Sequence, residues 1–502
     1  MNDIHLPIPY RGLAGLLAGL LGGLVLGLLE DAPPGFGLNL GISAGLGIVF
    51  GVILGPKVYS AGSGLIWGQA YGFLWWLIGP LTLIPGLSGR GLSWSAAAAP
   101  EIFPLLLGQT AAYGATLGLG YYFLSRAAAR SRPIKMEPAP DPPKRHIPMG
   151  QAIVPPLIQA LIIGGLGGIV GSWVFAWGIE TAEFFPLVAG LMGSNSMTVG
   201  RILHYLIGMV IGVSFGLLFY RDMHGIGSGL VWGLSYGLTW WIIGPLTLLP
   251  WFLGMQTRPD WSLTAAQAMF PPLIAHMLYG ALVGLCYALF NRFWQILFVD
   301  SDPLNRALEG AGTRGLRSIL MGQAGGIVGG LLFTIVMVGI GALPDVASLI
   351  GAKSSLVGFI VHLVISIIIG SSYGLLFQRE TSGYGSGLAW GMVYGLLWWL
   401  LGALTLFPIL LRQPVDWSLA TAALRYPSLV GHLLYGAGLG LFFQYLARRY
   451  DTELSGRAWP GGPGRPVQPP ARYRPAGTPA SALWIVTLGL GVMLPLLLAI
   501  GH

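Results

Sequence analysis

Residues 62–85 read GSGLIWGQAYGFLWWLIGPLTLIP, and two similar stretches follow: GSGLVWGLSYGLTWWIIGPLTLLP at 227–250 and GSGLAWGMVYGLLWWLLGALTLFP at 385–408. None of the three contains a charged residue. Each is long enough to cross about 30 Å of hydrocarbon as an α-helix, which rises about 1.5 Å per residue. Three copies of one apolar segment predict three copies of a larger unit built from membrane helices.

The composition supports this fold class. Of the 502 residues, 54% are hydrophobic and 9% are charged, whereas a soluble chain carries about 25% charged residues. Apolar stretches of roughly 17–25 residues, the length that spans a bilayer as a helix, lie at 12–29, 38–56, 63–85, 101–124, 152–175, 199–219, 227–250, 270–290, 318–340, 356–377, 385–411, 427–447 and 481–500. The sequence therefore predicts an all-α integral membrane protein with about 13 transmembrane helices.

The repeat extends outward from the quoted stretches. GGIVG at 167–171 matches GGIVG at 325–329, and DWSL at 260–263 matches DWSL at 416–419; the first copy has the same order but a shorter connection between its first two helices. Each copy holds four predicted spans, an even number, so the copies are parallel and related by an axis along the membrane normal. We expect three parallel tandem four-helix repeats with pseudo-threefold symmetry, or in a linear row, followed by one C-terminal helix.

The predicted domains follow from this count. Repeat 1 lies at 1–124, repeat 2 at 152–290 and repeat 3 at 318–447, and the C-terminal helix lies at 481–502. The linkers are 125–151, 291–317 and 448–480; the first is basic, and the last is rich in Pro, Gly and Arg and is expected to be extended.

The net charge of +8 is unevenly distributed. Most of the Lys and Arg residues lie in the three linkers: Arg126, Arg130, Arg132, Lys135, Lys144 and Arg145; then Arg292, Arg306, Arg314 and Arg317; then Arg448, Arg449, Arg457, Arg465, Arg472 and Arg474. The positive-inside rule then predicts a bacterial-type cytoplasmic (inner) membrane protein with a cytoplasmic N-terminus and an external C-terminus. Anionic lipid headgroups account for the basic linkers, and we expect no nucleic-acid partner.

Glycines recur at four-residue spacing in the third helix of every copy. Four residues advance about 400° around a helix, so they form one shallow stripe that lets another helix approach closely. The predicted packing residues are Gly64, Gly68, Gly72, Gly229, Gly233, Gly237, Gly387, Gly391 and Gly395.

Tryptophan pairs and a helix break follow the glycines. The pairs are Trp75–Trp76, Trp240–Trp241 and Trp398–Trp399; they lie too deep for an interfacial belt, so they either fill the core with hydrogen-bonded indoles or line a cavity. Pro80 and Pro245 each remove a backbone donor and predict a break, whereas Ala403 in the third copy predicts a straighter helix. Thr82, Thr247 and Thr405 follow, and we include Thr247 and Thr405 among the candidate ligand or pathway residues.

Four histidines occupy matched positions in two copies: His204 and His362 on the second helices, His276 and His432 on the fourth. The two of one copy come to the same depth beside the break. They either hydrogen-bond to each other or to the backbone, or ligate haem iron or chlorophyll magnesium, or contact a solute. The first copy has Asn39 in place of His204, and Gln109 or Thr110 in place of His276. Two histidines make a poor zinc site, so no metal site is predicted.

The predicted spans contain no charged residue away from their edges, and the chain has no phosphate-binding loop. Intramembrane carboxylates are usual in ion-coupled transporters, so their absence points away from ion coupling. We expect a non-enzymatic permeation or transport protein for a small neutral or weakly charged solute. The alternatives are a non-catalytic membrane subunit of a respiratory or photosynthetic complex, with haem or chlorophyll held by paired histidines, and a lipid-organising protein.

Overall fold

The computed structural model describes residues 6–30, 36–89, 91, 93, 98–130, 156–179, 183–223, 225–257, 259–298, 310–380, 383–456 and 480–498. Within these ranges the chain is almost entirely helical and has no strand. The predicted linkers are described only where a flanking helix runs into them. The remaining linker residues, 131–151, 299–309 and 457–479, lie outside the described ranges together with residues 152–155 of repeat 2 and with Trp94 and Ser95 of the first copy.

The first eight long helices are α1 (Ile8–Glu30), α2 (Phe36–Ile53), α3 (Ala61–Leu87), α4 (Ala99–Arg130), α5 (Pro156–Ile179), α6 (Met197–Phe219), α7 (Ile226–Ile243, continued to Phe252) and α8 (Phe270–Phe298). The others are α9 (Ala311–Gly339), α10 (Ser355–Phe377), α11 (Tyr384–Leu410), α12 (Tyr426–Gly456) and α13 (Ala480–Leu498). Short helices precede α6, α8, α10 and α12, at Phe184–Ala189, Leu263–Ala268, Leu343–Ala347 and Leu419–Leu424.

Eleven helices in the described part of the chain are long and apolar enough to cross a membrane, which makes this a polytopic all-α membrane protein. The eleven are α1 to α6 and α8 to α12. Helices α7 and α13 coincide with the predicted spans 227–250 and 481–500 but are not among them, so the count of thirteen stays a prediction. Helix α12 also extends to Gly456, well into the segment that was predicted to be a linker.

The chain forms two compact units. In the first, which comprises 1–223, 229–306 and 487–502, α1 packs on α2 and α4, α3 packs on α4, and α5 packs on α6 and α8. In the second, which comprises 224–228 and 307–486, α9 packs on α10 and α12, and α11 packs on α12.

The glycines of the third helices bring them into backbone contact with the fourth helices. A Cβ added to Gly68 would lie 2.1 Å from the carbonyl oxygen of Gly114. The matched Gly233 and Gly391 would each meet a glycine carbonyl oxygen of α8 or α12 at 2.0 Å. For all nine glycines of the predicted stripe, an added Cβ would lie 2.7 Å or less from a backbone carbonyl oxygen of the fourth helix. Any larger residue would push the two helices apart, so glycine is required for this approach.

A tyrosine on each fourth helix ties it to the second helix. Tyr113 donates a hydrogen bond to the carbonyl oxygen of Ser43 at 2.9 Å. Tyr279 donates to the Gly208 carbonyl at 2.5 Å and Tyr435 to the Ser366 carbonyl at 2.8 Å. These phenols are buried, and the bonds give their polar atoms partners within the helix bundle.

Candidate functional site

The third helices change from α- to π-helical geometry where the sequence predicts a break. The π-helical turns are Gly79–Leu83 in α3, Gly244–Leu248 in α7 and Trp399–Leu406 in α11. In each, a threonine hydroxyl donates at 2.8 Å to the carbonyl oxygen five residues earlier: Thr82 to Leu77, Thr247 to Ile242 and Thr405 to Leu400. The hydroxyl thus supplies a donor to a carbonyl at the turn, where the regular α-helical pattern is interrupted.

Ala403 was expected to give a straighter helix, but α11 also changes to π-helical geometry. The π-helical segment of α11 is eight residues long, compared with five in α3 and in α7, where Pro80 and Pro245 stand. Proline is therefore not required for the π-helical geometry. A glycine and the threonine three residues after it are common to all three turns.

The second tryptophan of each pair fills the core and is hydrogen-bonded. Trp241 and Trp399 are fully buried, and their indole N–H groups donate to the carbonyl oxygens of Met269 at 2.8 Å and Arg425 at 3.1 Å. Trp76 donates in the same way to Ile102 at 2.9 Å. Of the two interpretations of the pairs, the structure favours the hydrogen-bonded filling for these three residues.

The first tryptophan of each pair lies closer to the surface. Trp240 and Trp398 are half-buried, and each packs edge-on against the tyrosine four residues earlier, with ring centroids 6.2 Å apart.

The tryptophan of each DWSL motif contacts the π-helical turn, a contact that the sequence did not predict. Trp261 donates its indole N–H to the Thr247 hydroxyl at 3.0 Å, and Trp417 donates to Thr405 at 3.1 Å. The following serine caps the next short helix: Ser262 accepts the N–H of Ala265. A sequence interpretation limited to this cap missed the tryptophan, because a contact between residues 14 or 12 apart in different elements leaves no periodic signal.

Each of the four histidines donates a hydrogen bond to a backbone carbonyl. On the second helices, Nε2 of His204 donates to Ser172 at 3.0 Å and Nε2 of His362 to Gly330 at 3.1 Å. On the fourth helices, Nδ1 of His276 donates to Pro272 at 2.7 Å and Nδ1 of His432 to Ser428 at 2.7 Å. The first two bonds join neighbouring helices, and the last two stay within one helix.

A phenylalanine on the first helix of the copy packs against both histidines. The centroid of the Phe175 ring lies 5.3 Å from that of His204 and 4.8 Å from that of His276. The Phe333 ring lies 5.1 Å from His362 and 4.6 Å from His432. We call each set of two histidines and one phenylalanine an aromatic triad.

Sequence reasoning missed the two phenylalanines, although the repeat contained a signal. The first copy, which has no histidine at these positions, has Leu26 where Phe175 stands. The first copy also explains the one-residue ambiguity in the fourth helix. A Cβ on Gly72 would meet the Gln109 carbonyl oxygen at 2.0 Å, just as one on Gly237 would meet the His276 carbonyl oxygen at 2.0 Å, which pairs Gln109 with His276. The matched tyrosines Tyr113 and Tyr279 pair Thr110 with His276 instead, because α4 has a π-helical segment at Gly108–Gly114.

The triads bear on the cofactor hypotheses. Within the described residues the two imidazoles of a copy make no hydrogen bond to each other, and both contact the same phenylalanine ring. The phenylalanine therefore covers one side of each imidazole. The described residues also contain no group of three or more metal-ligating side chains.

One ring nitrogen of the triad faces the break. Nε2 of His276 lies 3.7 Å from the position that a Cβ on Gly244 would take, at the first residue of the π-helical turn of α7. Since Nδ1 is the atom that donates to Pro272, Nε2 is left as the acceptor of the neutral ring. Glycine at 244 keeps the space beside this nitrogen open.

Outside the spans, the first unit contains a buried carboxyl group at Asp222, in the connection between α6 and α7. Its two oxygens accept the hydroxyl of Ser60, the N-cap of α3, at 2.7 and 2.8 Å, and the side chain is 1% exposed. Burial raises the pKa of Asp222 to about 7, against the opposing effects of hydrogen bonds from Ser60 and Tyr59 and the charge of Arg221. In the second unit the matched Glu380 accepts the backbone N–H of Ser228 at 3.2 Å.

Comparison of the chain with known protein families, with curated proteins and with solved structures finds no match.

Proposed function

We propose that this polytopic membrane protein is a permeation or transport protein for a small neutral or weakly charged solute. The solute passes the π-helical turn of α7 and its counterpart in α11, beside the fourth-helix histidines. The proposal assigns no catalytic reaction to the chain. It includes the triple four-helix architecture, a pseudo-threefold arrangement, a bacterial-type inner membrane and a cytoplasmic N-terminus, all inferred from the sequence repeat and the basic linkers.

One observation carries the proposal: an imidazole acceptor lies beside a non-α-helical turn within a membrane helix. His276 uses Nδ1 for its own helix and turns Nε2 towards Gly244. Irregular backbone at membrane depth is tolerated where it is buried in protein or lines a cavity or a solute site, and a ring nitrogen beside the turn supports the second case. The Thr247 hydroxyl, which bonds both Ile242 and Trp261, supports the same turn.

The test measures solute flux in proteoliposomes. Purified chain is reconstituted, and swelling is followed by stopped-flow light scattering with urea, glycerol and acetamide as solutes. We expect faster swelling than in protein-free liposomes for at least one solute. The pathway for this class of compound would be refuted if liposomes that contain the folded chain swelled no faster than protein-free liposomes with every solute.

The first copy supplies the substitutions that localise the pathway. His276→Gln with His432→Gln introduces the residue found at Gln109 and removes the imidazole beside the turn of α7 together with its matched residue in α12. His204→Asn with His362→Asn introduces the residue found at Asn39 and removes only bonds to the first helices. We expect the first double variant to slow the flux and the second to leave it unchanged at equal folded yield. Equal effects of both would remove the fourth-helix histidines from the mechanism.

A second candidate function is a non-catalytic subunit of a larger membrane assembly. The hydrogen bond from Nδ1 of His432 to Ser428 fixes the tautomer in which Nε2 is available to a metal, as in many histidine ligands. An absorption spectrum of the purified protein separates the two functions: a haem or chlorophyll band favours the subunit, and a colourless protein with solute flux favours the transporter.

A further inference from the structure

An apolar groove runs along the surface of the first unit between α5 and α6. It has a volume of about 360 Å³ and is lined by Ile169, Arg201, Ile202, Tyr205, Leu206 and Met209. Arg201 lies near the start of α6, and Met209 lies eight residues further on. At about 1.5 Å per residue the groove follows the helix for about 12 Å, with its one cationic side chain at one end.

Glycines of α5 bring this helix close to α6 beside the groove. A Cβ on Gly168 would lie 2.3 Å from the carbonyl oxygen of Gly208, so α5 and α6 are in backbone contact there. A Cβ on Gly165 would lie 3.6 Å from Cγ of Met209. The shape is thus set by the packing of two membrane helices.

The cationic end is specific to the second copy. The third copy has Phe359 where Arg201 stands and Leu363 where Tyr205 stands, and the first copy has Phe36 and Leu40. The shared packing of first and second helices therefore does not explain an arginine at this position. Arg201 is exposed, and its guanidinium carbon lies 5.2 Å from the centroid of the Phe185 ring, which holds the charge at this end of the groove.

We propose that this groove binds one anionic phospholipid, with its phosphate on Arg201 and an acyl chain along the apolar wall. Both helices are long and apolar enough to span a membrane, so the groove faces hydrocarbon and is filled by lipid. Guanidinium is suited to bidentate phosphate contacts.

The test compares phosphatidylglycerol with phosphatidylcholine. Purified chain is titrated with each lipid in mixed micelles, and retained lipid is counted by native mass spectrometry. We expect one phosphatidylglycerol to be retained in preference to phosphatidylcholine. Arg201→Gln should reduce that preference about fivefold, the equivalent of about 1 kcal/mol for one basic residue near the membrane surface. Arg221→Gln, which removes an equally exposed arginine outside the groove, should leave it unchanged.

A second variant tests the apolar wall. Leu206→Trp fills the groove but keeps the charge, and it should also lower the retention of phosphatidylglycerol. Three outcomes would each overturn the proposal: equal retention of the two lipids, equal effects of the two arginine substitutions, or full retention of phosphatidylglycerol by Leu206→Trp. Inorganic phosphate alone should not raise the melting temperature. If it does so in the native chain but not in Arg201→Gln, the site binds a free anion instead of a lipid.

Discussion

Replacing Asp222 by asparagine is expected to abolish a loss of stability that the native chain undergoes as the pH rises from about 4 to about 7. Burial raises the pKa of this carboxyl from 3.8 to about 7. Between these values the folded chain holds the proton and the unfolded chain has released it. The unfolded state then binds fewer protons, so the free energy of unfolding falls with increasing pH. Below pH 3.8 and above pH 7 the slope from this group vanishes.

The magnitude follows from the pKa difference. Raising a pKa from 3.8 to about 7 corresponds to about 4 kcal/mol over the full range, at about 1.4 kcal/mol per pH unit. Between pH 5 and pH 8 the expected loss is about 2–3 kcal/mol. Asparagine has nearly the same shape, can accept the Ser60 hydroxyl and has no charge to desolvate.

The assay is denaturant unfolding of the detergent-solubilised chain at pH 5, 6, 7 and 8. The native chain should lose stability relative to Asp222→Asn across this series, because other titrating groups are common to both. Asp416 gives a control of opposite sign: hydrogen bonds from Thr421 and Ser418 lower its pKa, so Asp416→Asn should reduce stability at neutral pH. Parallel pH profiles for the native chain and Asp222→Asn would refute the buried, protonated carboxyl.

Three further substitutions test the packing and the helix break, each by thermal unfolding in detergent. Gly68→Ala should cost about 1–3 kcal/mol because its methyl group would meet a backbone carbonyl, whereas Gly45→Ala, with no atom within 4 Å, should be close to neutral. Thr247→Val removes two hydrogen bonds at the π-helical turn and should cost about 1–3 kcal/mol; a neutral result would show that neither bond contributes. Ala403→Pro should leave the stability nearly unchanged, because proline occupies the matched position in the other two turns. Ala389→Pro, in the regular part of α11, should lower the stability by about 3 kcal/mol or more. Equal losses of stability would mean that α11 needs the N–H of residue 403.

Helix positions were largely predictable from the sequence because apolar length and charge placement determine them. The predicted spans 199–219 and 356–377 agree closely with Met197–Phe219 and Ser355–Phe377. The glycine spacing also indicated which helix face packs, since only a residue without a side chain permits contacts such as that of Gly391 with Gly436. The ends of helices were less predictable: α12 continues to Gly456, because the first residues of the linker are compatible with a helix.

The candidate site was predictable in its members but not in its contacts. Four histidines were marked by their matched positions, yet their distance along the chain does not specify whether a ring faces another ring, a carbonyl or a solute. The structure gives each histidine a carbonyl partner and places Phe175 or Phe333 against both rings of its copy. The signal for the phenylalanines was a difference between copies, since Leu26 stands where the histidines are absent.

The helix break shows where local rules were insufficient. Proline was taken as the cause because it removes a backbone donor, but α11 has a longer π-helical segment without it. In α11, Thr405 donates to Leu400 and accepts the indole N–H of Trp417. In α7, Thr247 donates to Ile242 and accepts the indole N–H of Trp261 in the same way. The turn keeps its place without the proline and has the same hydroxyl and indole partners, so it does not depend on the backbone constraint of proline, which is present in one copy and absent in the other. The threonine and the covering tryptophan, and not the proline, are therefore the residues whose loss should change the π-helical geometry.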